Sequence, residues 1–497
     1  MKKRAKPQKD SPDLIKARDS WERGRFAEAL HRFDKAVRRQ PDHPAALIDA
    51  ARAFGSRFQV HEAVKILARL ERVSARHPDG LVEAAQAYGI CRRPDEAARV
   101  LRLALARSPD HAVANYELAR SLETQGKLED AREHVGRALH ADPRSDPAKI
   151  LHARILTKLG DNDFAYAILV ELSEPGVRPL VRAEALSMLA RLHESEGDFD
   201  EAFATMMASN AALDRISAKA RDEAEALEPV LMHLRHAVKP SHLKKWAKIK
   251  THPDIESPAL ALMTAPYRSG GDLIGELLST QPGLAVSMHI GAFSEEIFPA
   301  ALMAGDETGN SRSTELFKGM DPERRRAEAQ RYRQLLLQCL PASNTPPSLL
   351  VDHCPSIVPL IPSFLRIVPK GKIIFPLRDP RDILVSSLFA HFPPERDTIA
   401  LSHPFDAAER INFELGTWLH FRTMLDPQQW TEIRYEALVG TTETELNRAL
   451  KWLGKAGEPQ HLTNLHERSI GRWRHYQSHL ASYYDELEPL LEPLGYS

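Results

Sequence analysis

Cysteine is scarce in this chain. Cys91, Cys339 and Cys354 are too few and too scattered for a disulfide framework or a zinc site. No stretch approaches the run of about eighteen apolar residues that a membrane span needs. The basic start, MKKRAKPQKDSPD, has no apolar core behind it and does not read as a secretory signal. Excess charge is missing too: 67 Lys and Arg face 68 Asp and Glu, which argues against general nucleic-acid binding. The phosphate-loop pattern GxxxxGK followed by Ser or Thr is absent, which disfavours a magnesium-dependent nucleotide kinase. What remains is a 497-residue chain, 43% hydrophobic and 27% charged, with the composition of packed globular domains. Its length allows roughly two to four of them. A cytoplasmic multidomain protein is expected.

Regularity fills the first half. The segments GRFAEAL, RFQVHEAV, RRPDEAAR, GKLEDARE, GDNDFAYA and GDFDEAFA recur in order. They carry Ala29, Ala63, Ala97, Ala131, Ala165 and Ala202, at intervals of 34, 34, 34, 34 and 37 residues. Pro41, Pro78, Pro109 and Pro143 follow the first four alanines and are expected to end each second helix. Gly24, Gly126, Gly160 and Gly197 relieve the turns between helices, and Phe33 fills a groove between neighbours. One helical hairpin cannot bury its apolar face alone, so the stack must be continuous. The pattern resembles the tetratricopeptide repeat. That resemblance implies an all-α solenoid whose concave surface takes a protein partner. A basic tail over 1–10, about six repeats over 11–209 and connecting helices over 210–250 are expected.

From about Ile255 the ruler stops. ALALMTA (259–265), SLLVD (348–352), KIIFPL (372–377) and TEIRYE (431–436) read as buried strands alternating with helical stretches. Such alternation predicts an α/β domain over 251–497 with a mostly parallel sheet, whose ligands sit at the carboxyl ends of the strands. Three stretches there could grip an anion. YRSGG follows the first strand, so the amides of Ser269, Gly270 and Gly271, the start of the next helix and Arg268 could hold a phosphate-like group. In FPLRDPRDILVSSL, Arg378 leaves a strand, Asp382 can cap the following helix, and Ser386 lies one turn inside it. RSIGRWRHY, Arg468 to Tyr476, surrounds one glycine and one tryptophan with positive side chains. Each stretch alone is equally compatible with a turn, a capped loop or a basic surface helix.

In this order, and with RYEALV between the last two, the stretches resemble the PAPS-dependent sulfotransferases. PAPS is 3′-phosphoadenosine-5′-phosphosulfate, the activated sulfate donor. The resemblance covers about residues 255–497, including the closing LEPLLEPLGY, from which a native C-terminus is expected. With repeats in front, it is similar to the bacterial tetratricopeptide sulfotransferases, whose second half is like the protein-tyrosine sulfotransferases. The implied fold is a tetratricopeptide-type solenoid followed by an α/β, P-loop-like sulfotransferase domain. The implied chemistry is in-line transfer of a sulfuryl group to a hydroxyl of a protein or saccharide acceptor, with no metal if arginines and amides supply the positive field. Arg268, Ser269, Gly270 and Gly271 then match the loop for the 5′-phosphosulfate, with Asp272 at its end. Arg378 and Ser386 match the 3′-phosphate pair, Gly471, Arg472 and Trp473 the late loop around it, and Tyr435 the adenine side.

The chain departs from that pattern in three places. The family has two hydroxyl residues where Gly271 and Asp272 stand, and an ionised carboxylate about 4 Å from a phosphate costs roughly 4 kcal/mol at an effective dielectric near 20. Where close relatives carry a glutamate base, counting reaches Met288 and His289; His289 is the first candidate, with Glu295 and Glu296 behind it. In VDHCP, His353 replaces a lysine and would meet the sulfuryl group only when protonated. His391 is expected to be a plain helix-borne surface or packing residue. Two function classes therefore stand: an active PAPS-dependent sulfotransferase, or a catalytically degenerate fold serving as a repeat-based interaction module.

Overall fold

The computed structural model describes residues 9–249, 257–298, 320–340, 345–455 and 469–497. Most of the basic start, Arg468, and residues 299–319 and 341–344 lie outside them. The chain divides into two compact units, residues 1–168 and 169–497. No helix among the described residues is long and apolar enough to cross a membrane.

The first unit is a stack of helical hairpins. α1 (Pro12–Glu22) pairs with α2 (Phe26–Arg39), α3 (Pro44–Ser56) with α4 (Val60–Val73), and α5 (Pro78–Ile90) with α6 (Pro94–Arg107). α7 (Ala112–Thr124) pairs with α8 (Leu128–Ala141), against which α9 (Asp146–Leu159) packs. Ala29, Ala63, Ala131 and Ala165 are fully buried, as close approach of paired helices requires. In the third repeat Ala98 takes that place and Ala97 stays half-buried. Pro41, Pro109 and Pro143 follow second helices, but Pro78 opens α5, where a missing N–H leaves nothing unpaired.

The hairpin turns repeat to the residue. Positions 24, 58, 92, 126 and 160 stand 34 apart and have φ of +69°, +60°, +55°, +73° and +88°. Three are glycines, which adopt this left-handed conformation freely; Phe58 and Arg92 adopt it against the steric preference of a side chain.

The second unit begins within α10 (Asn162–Leu172) and continues with the hairpin α11 (Pro179–Glu196) and α12 (Phe199–Leu213), then α13 (Ala218–Ala237) and α14 (Pro240–Ala247). β1 (Ala259–Met263), β2 (Leu284–Met288), β3 (Leu349–His353), β4 (Lys372–Leu377) and β5 (Trp430–Arg434) form one parallel sheet in the order β2-β3-β1-β4-β5. Around it lie α15 (Gly271–Ser279), α16 (Pro322–Cys339), α17 (Ile361–Ile367), α18 (Pro380–Leu388), α19 (Pro404–Arg422), α20 (Tyr435–Gly440), α21 (Thr442–Leu453) and α22 (Gln477–Leu494). Both faces of the sheet are covered at its centre, which is why β1, β3 and β4 read as continuous apolar runs. Ala261, Met263, Val351 and Ile374 meet Ile274 and Leu277 of α15 on one face. Phe375 stacks on Trp418 of α19 at 4.2 Å on the other.

Two features position the site. The chain leaves central β1 toward β2 and later crosses from β3 to β4, so the loops after β1 and β4 diverge and open a crevice at their carboxyl ends. The last repeat hairpin is built into this unit: Arg191 donates to Phe389 O (3.1 Å), and Phe199 and Phe203 stack on His475 and His479 at 4.1 and 4.5 Å.

Relief of the left-handed turn gives a direct test. Arg92, exposed at φ +55°, becomes more comfortable as glycine, so Arg92→Gly should stabilise the repeats by about 1 kcal/mol in thermal or urea melts. Phe58→Gly should do the reverse by about 3 kcal/mol, because Phe58 is only 8% exposed and its burial outweighs its strain.

Candidate active site

The loop from β1 to α15 is shaped by two close approaches. Gly270 has φ +94°, and a Cβ there would lie 2.5 Å from the Tyr435 ring. At Gly271 a Cβ would lie 2.3 Å from His353 Nε2. Neither position therefore accepts a side chain without displacing an aromatic ring. Arg268 itself sits at φ +69°, which turns its guanidinium toward α18, where Nε donates to Ser386 Oγ (3.0 Å). Ser269 is buried and its hydroxyl donates to Pro266 O.

Arg378 crosses between the expected loops. Its Nη1 donates to Arg268 O (3.1 Å), its Nη2 to Ser469 O (2.6 Å), and its guanidinium lies 4.7 Å from the centre of the Tyr435 ring. Tyr435 in turn shares a hydrogen bond with Ser469 Oγ at 2.6 Å. Arg378 Nε is buried without a hydrogen-bond partner. Such an atom marks either strain or a place for an acceptor.

Asp382 does not cap α18. Asp379 does, accepting from the Arg381 amide (2.9 Å), because it stands just before Pro380 at the first helical position. Asp382 instead accepts from the amides of Gly471 (2.7 Å) and Trp473 (2.9 Å), and so fixes the late loop. Burial pushes its carboxyl above the usual range, opposed by those amides and by Arg378.

A cavity of about 1480 Å³ opens among these elements. Arg268, Ser269, Gly270, Gly271 and Asp272 line it, together with His289, His353, Arg378, Ser386, Tyr435 and Arg472. Gly471 and Trp473 do not; the Trp473 ring lies under Arg381 at 3.9 Å and serves the loop's underside. Neither Glu295 nor Glu296 lines the cavity, and Glu296 pairs with Arg331. His391 does line it, beyond the end of α18 at φ +21°; burial pushes its pKa down to about 4, with Arg191 adding to the effect. It is thus neither helix-borne nor a plain surface residue.

The repeat hairpin supplies wall residues that no motif announced. Arg191 and Glu194 of α11 and Phe199 of α12 line the cavity. Glu194 accepts from Arg472 through both carboxylate oxygens, with Nη2 at 2.7 Å, and from Tyr476 Oη at 3.0 Å. Four guanidinium groups thus share one cavity. Burial, then Arg268 and Arg472, push Arg191 below the ordinary arginine value. Burial, then Arg378, does the same to Arg268, and burial leads at Arg378. Two like charges about 6 Å apart repel by about 3 kcal/mol at an effective dielectric near 20, so the walls favour an incoming anion.

Asp272 finds two imidazoles. His289 Nε2 lies 2.5 Å from Asp272 Oδ1 and His353 Nδ1 lies 3.6 Å from it. The His289 contact, more than any other group, holds the Asp272 carboxyl below its usual range. His353 is 3% exposed, and burial pushes its pKa down to about 4, with His289 second. It is therefore neutral near pH 7 and does not replace the positive charge of a lysine.

The fit of His353 against Gly271 is testable. Gly271→Ser should destabilise the protein by about 1–3 kcal/mol, and His353→Ala in the same chain should remove most of that penalty. Additive losses in denaturant melts would contradict the contact.

Known proteins share both halves of this architecture. The profile described as "Sulfotransferase family" matches residues 263–458, and "Tetratricopeptide repeat" profiles match 16–55 and 92–155. No curated protein matches the chain in sequence. Among solved structures, PilF of Pseudomonas aeruginosa is 18% identical over 41% of this chain and 90% of its own, with a TM-score of 0.33. A thermophilic TPR protein of Thermus thermophilus is 21% identical over 36% and 99%, at 0.31. MamA of Desulfovibrio magneticus is 18% identical over 33% and 94%, at 0.28. Scores this low carry no argument. The profiles, the helical stack and the parallel sheet agree: in this chain tetratricopeptide repeats precede a domain of the sulfotransferase family.

Proposed function

We propose that this protein transfers the sulfuryl group of PAPS to a hydroxyl, of a tyrosine or a saccharide, on an acceptor recruited by its repeats. One observation carries the reading: Arg268, Arg378 and Arg472, distant in sequence, line a single cavity at the strand ends. Arg378 Nε, buried without a partner, and the mutual repulsion of the arginines both call for a multiply charged anion. A doubly phosphorylated adenosine has that character. In this reading Arg268 and the amides of Gly270 and Gly271 grip the 5′ end, while the Ser269 amide and hydroxyl, both donating to Pro266 O, shape the turn. Arg378, Ser386 and Arg472 take the 3′-phosphate, and Tyr435 flanks the base. Without a bound ion, His289, oriented by Asp272, takes the proton of the acceptor hydroxyl. The protein's contribution is alignment of two reactants and neutralisation of charge on the equatorial oxygens. The repeats act as a protein-interaction surface, and no nucleic acid enters the reaction.

A second reading has one specific support. Glu194 already engages Arg472 through both oxygens, as a phosphate would, which suits a degenerate fold retained for binding partners. Ligand and turnover assays divide the two. Adenosine 3′,5′-bisphosphate at 100 times its dissociation constant should add about 2.7 kcal/mol of stability to the full-length protein. Arg378→Ala should abolish that gain. Labelled sulfate should then pass from PAPS to tyrosine peptides or glycans; stabilisation without transfer would favour the second reading, and no stabilisation would sink the first.

A further inference from the structure

Asp272 is the residue that least suits an anion cradle, and its surroundings suggest why it is there. It stands in the first turn of α15, facing the ends of two neighbouring strands. β2 and β3 pair in register at Met288 and His353, and the His289 amide donates to His353 O (2.9 Å). The two imidazoles are therefore set by the sheet, with ring centres 4.6 Å apart. His289 holds φ +52°, an unfavourable conformation for a residue with a Cβ, and such strain often accompanies a functional constraint. One donor atom each from Asp272, His289 and His353 lies within 4.8 Å of the others.

An ordinary ion pair accounts for half of this. His289 and Asp272 satisfy each other at 2.5 Å. His353 is left over: its Nδ1 is buried without a hydrogen-bond partner, yet it faces Asp272 Oδ1 from 3.6 Å, too far to donate. Two imidazole nitrogens and a carboxylate oxygen surround one point, and a hydrogen bond serves only one pair. A cation at that point would serve all three.

We propose that Asp272, His289 and His353 bind one divalent transition-metal ion of the zinc, cobalt or iron class, with open coordination positions toward the cavity. Two imidazoles and one carboxylate suit these borderline ions and disfavour calcium or magnesium, which prefer oxygen donors. Metal bonds of about 2.0–2.2 Å place neighbouring ligand atoms roughly 3 Å apart, so the His289–Asp272 contact opens slightly and the His353 distance closes. All three residues line the cavity, so an incoming oxygen reaches the remaining positions. The ion replaces the His289–Asp272 hydrogen bond rather than adding to it. It also converts a carboxylate that repels anions into part of a site with net positive charge. The ion site stands on geometry alone; its action on the donor's 5′ end rests on the proposed function. It departs from the metal-free chemistry expected from the sequence.

The test uses the full-length chain, stripped by a chelator and titrated with Co²⁺ alone. One ion per chain, with visible absorption that saturates and that Zn²⁺ displaces, is expected. Asp272→Asn and His289→Gln, both at exposed side chains, should each weaken Co²⁺ binding at least about tenfold, since even outer-shell partners contribute that much. His353→Gln should do the same, judged only if its melting curve stays cooperative. Lack of saturable binding, or affinity unchanged in Asp272→Asn and His289→Gln, overturns the site. Adenosine 3′,5′-bisphosphate added to the Co²⁺ form should shift its spectrum; a silent spectrum while the bisphosphate binds overturns the action on the donor. Failure of the bisphosphate to bind at all instead counts against the proposed function.

Discussion

Crowded positive charge organises the second unit, although only Arg378 among the four arginines concerned is buried. Arg191, Arg268, Arg378 and Arg472 are drawn from a repeat helix, a strand-to-helix turn, another strand end and a late loop, yet all face one cavity. Guanidinium groups lose hydration on burial and repel one another, so the fold must hold them by other means. It does so with carbonyls and carboxylates at the edges: Arg268 O and Ser469 O for Arg378, Phe389 O for Arg191, and Glu194 for Arg472. Toward the centre of the cavity Arg378 Nε is left without a hydrogen-bond partner. Strand order makes this arrangement possible, because the loops after β1 and β4 part there.

The unusual residues of the loop after β1 form one linked set. His353 fills the space beside Gly271, so a side chain at 271 and an imidazole at 353 exclude each other. Asp272 then meets His353 and His289 at the cavity wall. A loop with two hydroxyls and a nearby lysine is one solution to holding an anion. Here Gly271, Asp272, His289 and His353 stand instead, and the carboxylate has partners of its own while it still lines the cavity.

Much of this is legible in the sequence, for identifiable reasons. The 34-residue period is a local signal repeated many times, and β1, β3 and β4 are buried on both faces, so their apolar runs stand out. The edge strand β2 escapes a sequence reading because LAVSM is short and broken by a serine. The capping role moves from Asp382 to Asp379 because Pro380 fixes where α18 begins. Arg191 and Glu194 are invisible for a deeper reason: nothing in a repeat helix marks which exposed-looking charge meets a loop nearly 280 residues later. Trp473 has the right neighbours in sequence but faces Arg381, since the two amides held by Asp382 turn the late loop the other way.

The decisive quantity is how much a 3′-phosphate contributes to binding. Calorimetric titration of the full-length protein should show adenosine 3′,5′-bisphosphate binding at least about tenfold more tightly than adenosine 5′-monophosphate, because Arg378 and Arg472 offer charge-assisted hydrogen bonds to the added group. Equal affinities for the two nucleotides, or binding of neither, would contradict a cavity built around a doubly phosphorylated adenosine.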